Sequence, residues 1–217
     1  ARARGLDPAT AAPAAMRRTG DFAAAVASTV PEQDCLPICD GHATLDRETL
    51  AFMAAIVPQS AWPGLLAHQI ARQGEASPSI IAWLLQRQMA GQGTPAAPLV
   101  YLPEMGLLAS TRRHGEHLVK LAILGNHPGA GHTHEDKGSF ILEFAGDTFA
   151  MDGGIGTYGD PMITLMKHAQ RHNLLLPLAP AGQRPAPPCP LKPGVKPVGT
   201  GDAEQFQATM DLTPGLE

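Results

Sequence analysis

No stretch of the 217-residue chain reaches the roughly 18 uninterrupted apolar residues that a membrane-spanning helix requires. The sequence therefore offers no membrane span. Net positive charge is missing too: 16 Lys and Arg stand against 20 Asp and Glu, a formal charge of −4 at pH 7. Phosphate binding wants a basic face, so nucleic acid is not an expected partner. Cysteine is scarce, and the three present, Cys35, Cys39 and Cys189, have neither zinc-ribbon spacing nor an even count for a disulfide framework. Each is expected to act as a small buried hydrophobe, and compartment cannot be read from them. A signal peptide's continuous apolar core is absent as well, since Asp7, Pro8 and Pro13 break the alanines of ARARGLDPATAAPAAM.

What is present is ordinary in bulk and uneven in detail. A hydrophobic fraction of 44% suits a globular protein, and the length suits one generous domain or two small ones. The 23 Gly and 21 Pro imply many turns. Residues 1–43 are Ala/Pro-rich and carry no clear period. A helix opens after Thr44, with Asp46 before RETLAFMAAIV, Leu50, Met53 and Ile56 at helical spacing, and Pro58 as its stop. A second helix starts near Pro63, where Leu66 and Ile70 stand four apart. Ser77-Pro78 predicts the start of a third, which should bury Ile80, Ile81, Leu84 and Leu85 and run to about Met89.

After the linker GQGTPAAP (91–98) the period becomes extended. PLVYLP, MGLLAST, HLVKLAILG, SFILEFAG and DTFAMDGG read as successive strands, with Ala145-Gly146-Asp147 as a tight hairpin. A helix-compatible or loop segment (160–171) follows, then a strand HNLLLPLA, a Pro/Gly-rich loop from Gly182 to Pro197, and a final strand-like QFQATMDL. The fold class is α+β, with residues 1–92 helical and 93–217 an antiparallel β domain. Both edges read as cut from a larger chain.

The densest polar cluster is GHTHEDKGSF, residues 131–140. In an extended chain His132 and His134 face the same way, about 6–7 Å apart. Two such imidazoles suit a metal ligand with a proton-transfer group, or two ligands; solvent-facing loop histidines are an equally good reading of the pair alone. Asp152 ends the return strand of SFILEFAGDTFAMD, so the hairpin should bring it close to His134. His172 opens the next segment. Zinc takes three protein ligands of these types and leaves a fourth position open. For Asp152 alone, a turn residue before Gly153-Gly154 is the simpler assignment.

The strip GHTHEDKGSFILEFAGDTFAMDGGIGTY with the later RHN resembles the heparinase II/III-like polysaccharide lyases, a family that includes heparinases and alginate lyases. The matching elements are His132, His134 and Asp136; Ser139-Phe140; Gly146; Asp152 and Gly154; Tyr158; and His172-Asn173. About 45 residues carry the likeness strongly. It implies the end of an α/α toroid followed by an antiparallel β-sheet or sandwich, and one zinc ion on His134, Asp152 and His172. It also implies β-elimination on a uronate glycan of heparin, heparan or alginate type, an acidic polysaccharide. A catalytic His132 belongs to that expectation, together with a periplasmic, cell-envelope or secreted location.

Elimination removes the weakly acidic proton at C5 of the uronate, so it needs a base near its working pH and donors for the developing carboxylate charge. Tyr158, Arg171 and Asn173 are the candidate substrate contacts. A packed loop aromatic, a solvated arginine and a backbone-bonding asparagine are the plain alternatives. Lys167 and His168 add positive charge for a polyanion. The family's toroid tyrosine has no counterpart, since Tyr101 and Tyr158 lie outside the helical segments. Part of the catalytic set is therefore expected upstream of residue 1. Two other classes remain. A metal-dependent hydrolase would share His-x-His-x-Asp, although Lys137 stands where its next histidine belongs. A non-catalytic, metal-stabilised carbohydrate-binding β module is the other.

Overall fold

The computed structural model describes residues 13–75, 79–89, 97–125, 132–176 and 197–212. Among these residues, four helices come first. Helix α1, Ala14–Val26, lies in the Ala/Pro-rich stretch that carried no readable period. Helix α2, Arg47–Ile56, begins where Asp46 accepts a 2.8 Å hydrogen bond from the Thr49 amide, as the sequence leads one to expect of a capping residue. Helix α3, Trp62–Gln73, has Pro63 in its first turn and stops at Gly74, whose φ of 82° suits a residue without Cβ. Helix α4 spans Ile80–Met89, and the Ser79 hydroxyl accepts from the Ala82 amide at its start. The expected Ser77-Pro78 start lies outside the described residues.

Leu50, Ala51, Ala54, Trp62, Leu65, Leu66 and Ala82 bury each other where α2, α3 and α4 meet. One expectation fails here. Ile80, Ile81 and Leu84 are exposed (72%, 69% and 49%), while Ala82 and the partly buried Leu85 take the inner face. Residues along IIAWLL advance by about 100° each, so they cannot all face one neighbour.

The β part is a meander. Strands β1 (Leu99–Leu102), β2 (Leu107–His114), β3 (His117–Leu124), β4 (Ser139–Phe144) and β5 (Asp147–Ala150) pair antiparallel in sequence order. The β4–β5 turn is one residue tighter than expected. Ala145 and Gly146 alone carry positive φ (55° and 88°), and Asp147 already pairs with Phe144. A short helix α5 (Met162–Met166) and a 3₁₀ turn (Ala169–Arg171) follow. The strand expected at HNLLLPLA is not formed at its described end: residues 172–174 are bends. Most of the 91–98 linker and the 182–197 loop lie outside the described residues. The loop's last residue instead opens β6 (Pro197–Gly201), which pairs with β7 (Phe206–Met210) as a separate two-stranded sheet.

Helix α1 lies on the sheet. Ala24, Ala25 and Val26 share one core with Cys35, Leu36, Val100, Leu107, Ala109, Ala122, Leu124 and Ile141. Two buried charges mark the seam. Lys120 on β3 donates to the Ala24 carbonyl in the last turn of α1 (2.9 Å) and stands opposite Glu143 on β4. Glu143 accepts from the Ser28 hydroxyl (2.6 Å), the Thr29 amide (2.6 Å) and the Thr29 hydroxyl (2.8 Å). The chain leaving α1 is thereby tied to the sheet.

Candidate metal and proton-transfer site

The site is assembled on a loop between α1 and α2 that the sequence did not single out. Its base is closed by an Ala27–Cys35 bridge, by the Leu36 amide on the Val26 carbonyl (2.8 Å) and by the Asp34 amide on the Ala43 carbonyl (2.8 Å). Asp34, fully buried, accepts from the Leu45 amide (2.9 Å) and the Gln69 side chain (2.7 Å) and pairs with Arg72, which fixes the loop to α3. At the tip the Gly41 amide donates to the Ile38 carbonyl (2.9 Å), and Cys39 takes a φ of 55°. This turn holds Asp40.

Asp40 is the hub. Its Oδ2 lies 2.7 Å from His132 Nδ1 and accepts from the Tyr158 hydroxyl at 2.8 Å. Its Oδ1 lies 2.8 Å from His134 Nε2 and 3.1 Å from Lys167 Nζ. Burial pushes the carboxyl up, but the hydrogen bonds from Tyr158, His132, His134 and Lys167 outweigh it and hold Asp40 far below the usual carboxylate range. The same contact raises the Tyr158 phenol, first through its hydrogen bond to Asp40, so that hydroxyl stays protonated. Tyr158 is 63% exposed and not packed into its loop.

His132 and His134 do come together, though for a different reason than strand alternation. His132 has a φ of 61° and sits in a turn, not an extended chain. Its side chain is 74% exposed, while that of His134 is fully buried. What unites them is the Asp40 carboxylate between them.

Behind Asp40 lie His134, Asp152 and His172, all buried, each with a donor atom within 4.8 Å of the others. The imidazole centroids of His134 and His172 are 5.4 Å apart. Asp152 Oδ1 accepts from the Gly154 amide (3.0 Å), and its Oδ2 lies 3.0 Å from His172 Nδ1. Burial pulls the His172 imidazolium down, but the Asp152 hydrogen bond and the charges of Asp152 and Asp136 raise it overall. Two ring nitrogens, His134 Nδ1 and His172 Nε2, are buried with no hydrogen-bond partner. Unpartnered buried nitrogens cost about 1–3 kcal/mol each, and a cation would satisfy both lone pairs. Two imidazoles and a carboxylate form a donor set that zinc accepts. The residues present fit a metal ion.

The remaining candidates are dispersed. Arg171 is exposed on the 3₁₀ turn leading into His172. Asn173 donates its amide to the Phe140 and Met151 carbonyls (3.0 Å each), stitching the segment after the 3₁₀ turn to β4. Asp136 is buried beside Cys39, whose Sγ lies 3.3 Å from Oδ2. Burial and Asp136 push that thiol up to about 12. Lys167 is spent on Asp40, and His168 lies 3.4 Å from Glu135. A cavity of about 470 Å³ adjoins Asp40, His132 and Asp136, but Phe22, Val26, Leu36, Ile38, Leu107 and Leu124 make its walls apolar, unlike a subsite for a polyanion. Asp40 itself was invisible in the sequence. It stands 92 residues before His132, and PICDG reads as one more turn.

Residues 94–174 match the family described as heparinase II/III-like, C-terminal, in agreement with the likeness carried by the 132–173 strip. Two solved structures of the heparan sulfate lyase HepC from Pedobacter heparinus are similar. For a mutant the identity is 15% and the TM-score 0.44, over 81% of this chain and 26% of that one. For the other the values are 18% and 0.39, over 65% and 20%. The chain thus spans about a quarter or less of those enzymes. No curated protein matches it.

Proposed function

We propose that this chain is part of a polysaccharide lyase that cleaves uronate-containing glycans by β-elimination. The supporting observation is a two-layer site whose His132, His134, Asp152, Tyr158 and His172 lie in the family-matched stretch and whose hub, Asp40, comes from outside it. An exposed His132 and Tyr158 share the Asp40 carboxylate, which backs onto the buried His134, Asp152 and His172. His132 is the base that takes the C5 proton; the C4–C5 double bond forms as the C4–O bond breaks, and the glycosidic oxygen leaves and takes a proton from water. Tyr158 lines the cleft beside His132, and the exposed Arg171 meets the uronate carboxylate as a planar two-pronged donor. Asn173 supports the site through the backbone. The helices belong to the end of an α/α toroid, the sheet to a larger antiparallel β domain, and the enzyme works in the periplasm, at the cell envelope or outside the cell.

His134, Asp152 and His172 would hold one zinc ion, which when bound supplies a fixed positive charge that organises these three donors. Their burial (3%, 1% and 9% exposed) favours a metal that holds the site together over one that meets substrate. The same burial supports a second reading, a metal-stabilised carbohydrate-binding module without turnover. Asp136 is bonded to Cys39 and is not among the metal-donor group, which argues against a hydrolase ligating through all of His-x-His-x-Asp.

The deciding measurement is the ultraviolet absorbance of an unsaturated uronate product, with the protein that contains this chain and a panel of heparin, heparan sulfate and alginate. Absorbance should rise with at least one glycan. It should fall by about 10²–10⁴-fold in His132→Ala, the usual worth of a general base. No release from any of them, or full activity in His132→Ala, would sink the assignment.

A further inference from the structure

Asp40 touches both layers of the site, and each oxygen has a different task. A carboxylate only accepts hydrogen bonds. A histidine nitrogen that meets it at 2.7 or 2.8 Å therefore carries the proton there, and the neutral ring keeps its lone pair on the other nitrogen. For His132 the engaged atom is Nδ1, which leaves the lone pair on Nε2 of a ring that is largely in solvent. For His134 the engaged atom is Nε2, which leaves the lone pair on Nδ1, one of the two buried nitrogens without a partner. One carboxylate thus sets two neighbouring imidazoles in opposite tautomers. The outer ring offers its lone pair outward, and the inner ring offers its lone pair into the metal-donor group.

The support around Asp40 suits such a task. Its side chain is 8% exposed, and Lys167 adds a cationic donor. The turn that carries it is braced from behind. A Cβ at Gly154, two residues past Asp152, would sit 2.5 Å from the Gly41 carbonyl oxygen and 2.9 Å from Pro37 Cβ, so the two loops are in direct contact. Any shift of the Asp152 loop is felt in the Asp40 turn.

We propose that Asp40 is the positioning residue of this site, holding His132 as an Nε2 base through one oxygen and His134 as an Nδ1 metal donor through the other. The catalytic half rests on the lyase reading above; the tautomers do not. A carboxylate behind a metal-bound histidine commonly contributes 10–100-fold in metal affinity. Where an aspartate fixes the tautomer of a catalytic histidine, its replacement by asparagine lowers kcat by about 10⁴, as in the Ser-His-Asp triad.

The test starts with the unaltered protein. Imidazole ¹⁵N shifts, recorded where both rings are neutral, should place the proton of His132 on Nδ1 and that of His134 on Nε2. The reverse tautomer at either ring overturns the proposal, whatever the activity. Asp40→Asn should then retain its circular dichroism, scramble the His132 tautomer, weaken zinc binding by about 10–100-fold and lower kcat on uronate glycan by about 10²–10⁴. KM should stay within about threefold, because Asp40 does not touch substrate. A variant with wild-type zinc affinity and kcat also overturns the proposal. If the unaltered protein shows the stated tautomers but no elimination, the lyase reading fails while the role of Asp40 toward the two rings stands.

Discussion

Gly154 shows how single positions hold this site. Its φ is +56°, its amide donates to Asp152, and an added methyl would meet the Gly41 carbonyl and the Pro37 side chain at under 3 Å. Both the backbone region and the space exclude a side chain. Gly154→Ala should cost about 1–3 kcal/mol in denaturant unfolding and loosen zinc binding, because the shifted loop carries Asp152 away from His134. A variant as stable as the parent would remove the brace from the account. The sequence made Gly154 visible as part of an Asp-x-Gly, since motif spacing records what a backbone cannot tolerate. It hid Asp40. Nothing local distinguishes that aspartate from other turn residues, and its meaning arises only when the α1–α2 loop is folded against residues 132–167. His134, Asp152 and His172 were legible because the hairpin returns Asp152 toward His134 and the family likeness adds His172 to the pair.

Among the elements, strands β1 to β5 could be read as extended runs set between turns, and α2 and α3 from a capping aspartate and a first-turn proline. Helix α1 could not. Its buried residues are Ala23, packed in the helical core, and Ala24, Ala25 and Val26, packed in the core with the sheet; burial on both sides by small residues leaves a weak periodic signal. At its described end the strand expected from His172 is not formed, and there Asn173 turns its amide onto two carbonyls where the chain bends. Between α1 and the sheet, Lys120 carries a testable consequence. Burial pulls its ammonium down to about 8 from 10.5, with Glu143 opposing. Between those values the folded chain binds fewer protons than the unfolded one, so this residue makes stability rise with pH. Below about 8 both states are protonated, and its contribution is flat at its least favourable. Lys120→Met removes the effect. The stability of the parent relative to Lys120→Met should therefore increase from about pH 8 to pH 10.5 in urea titrations; a difference independent of pH would show that Lys120 is not destabilised by burial.

For the molecule as a whole, the metal-donor group lies where separate parts of the chain converge. His134 comes from the loop before β4, Asp152 from the end of β5, and His172 from the segment after the 3₁₀ turn, while Asp40 reaches in from the helical half. An ion bound there ties three segments that the unfolded chain holds apart, and through His134 the Asp40 turn as well, so its binding energy becomes folding energy. At a free zinc concentration about 100 times the dissociation constant, the gain is about 2.7 kcal/mol. For a chain of this size that corresponds to a rise in Tm of roughly 5–10 °C. Zinc should raise Tm by about that much, a chelator should reverse it, and His134→Ala or Asp152→Ala should abolish the response. His132→Ala should keep the response, because that largely exposed ring is not part of the donor group. An equal zinc shift in His134→Ala would place the ion elsewhere, and a lost shift in His132→Ala would merge the two layers of the site into one.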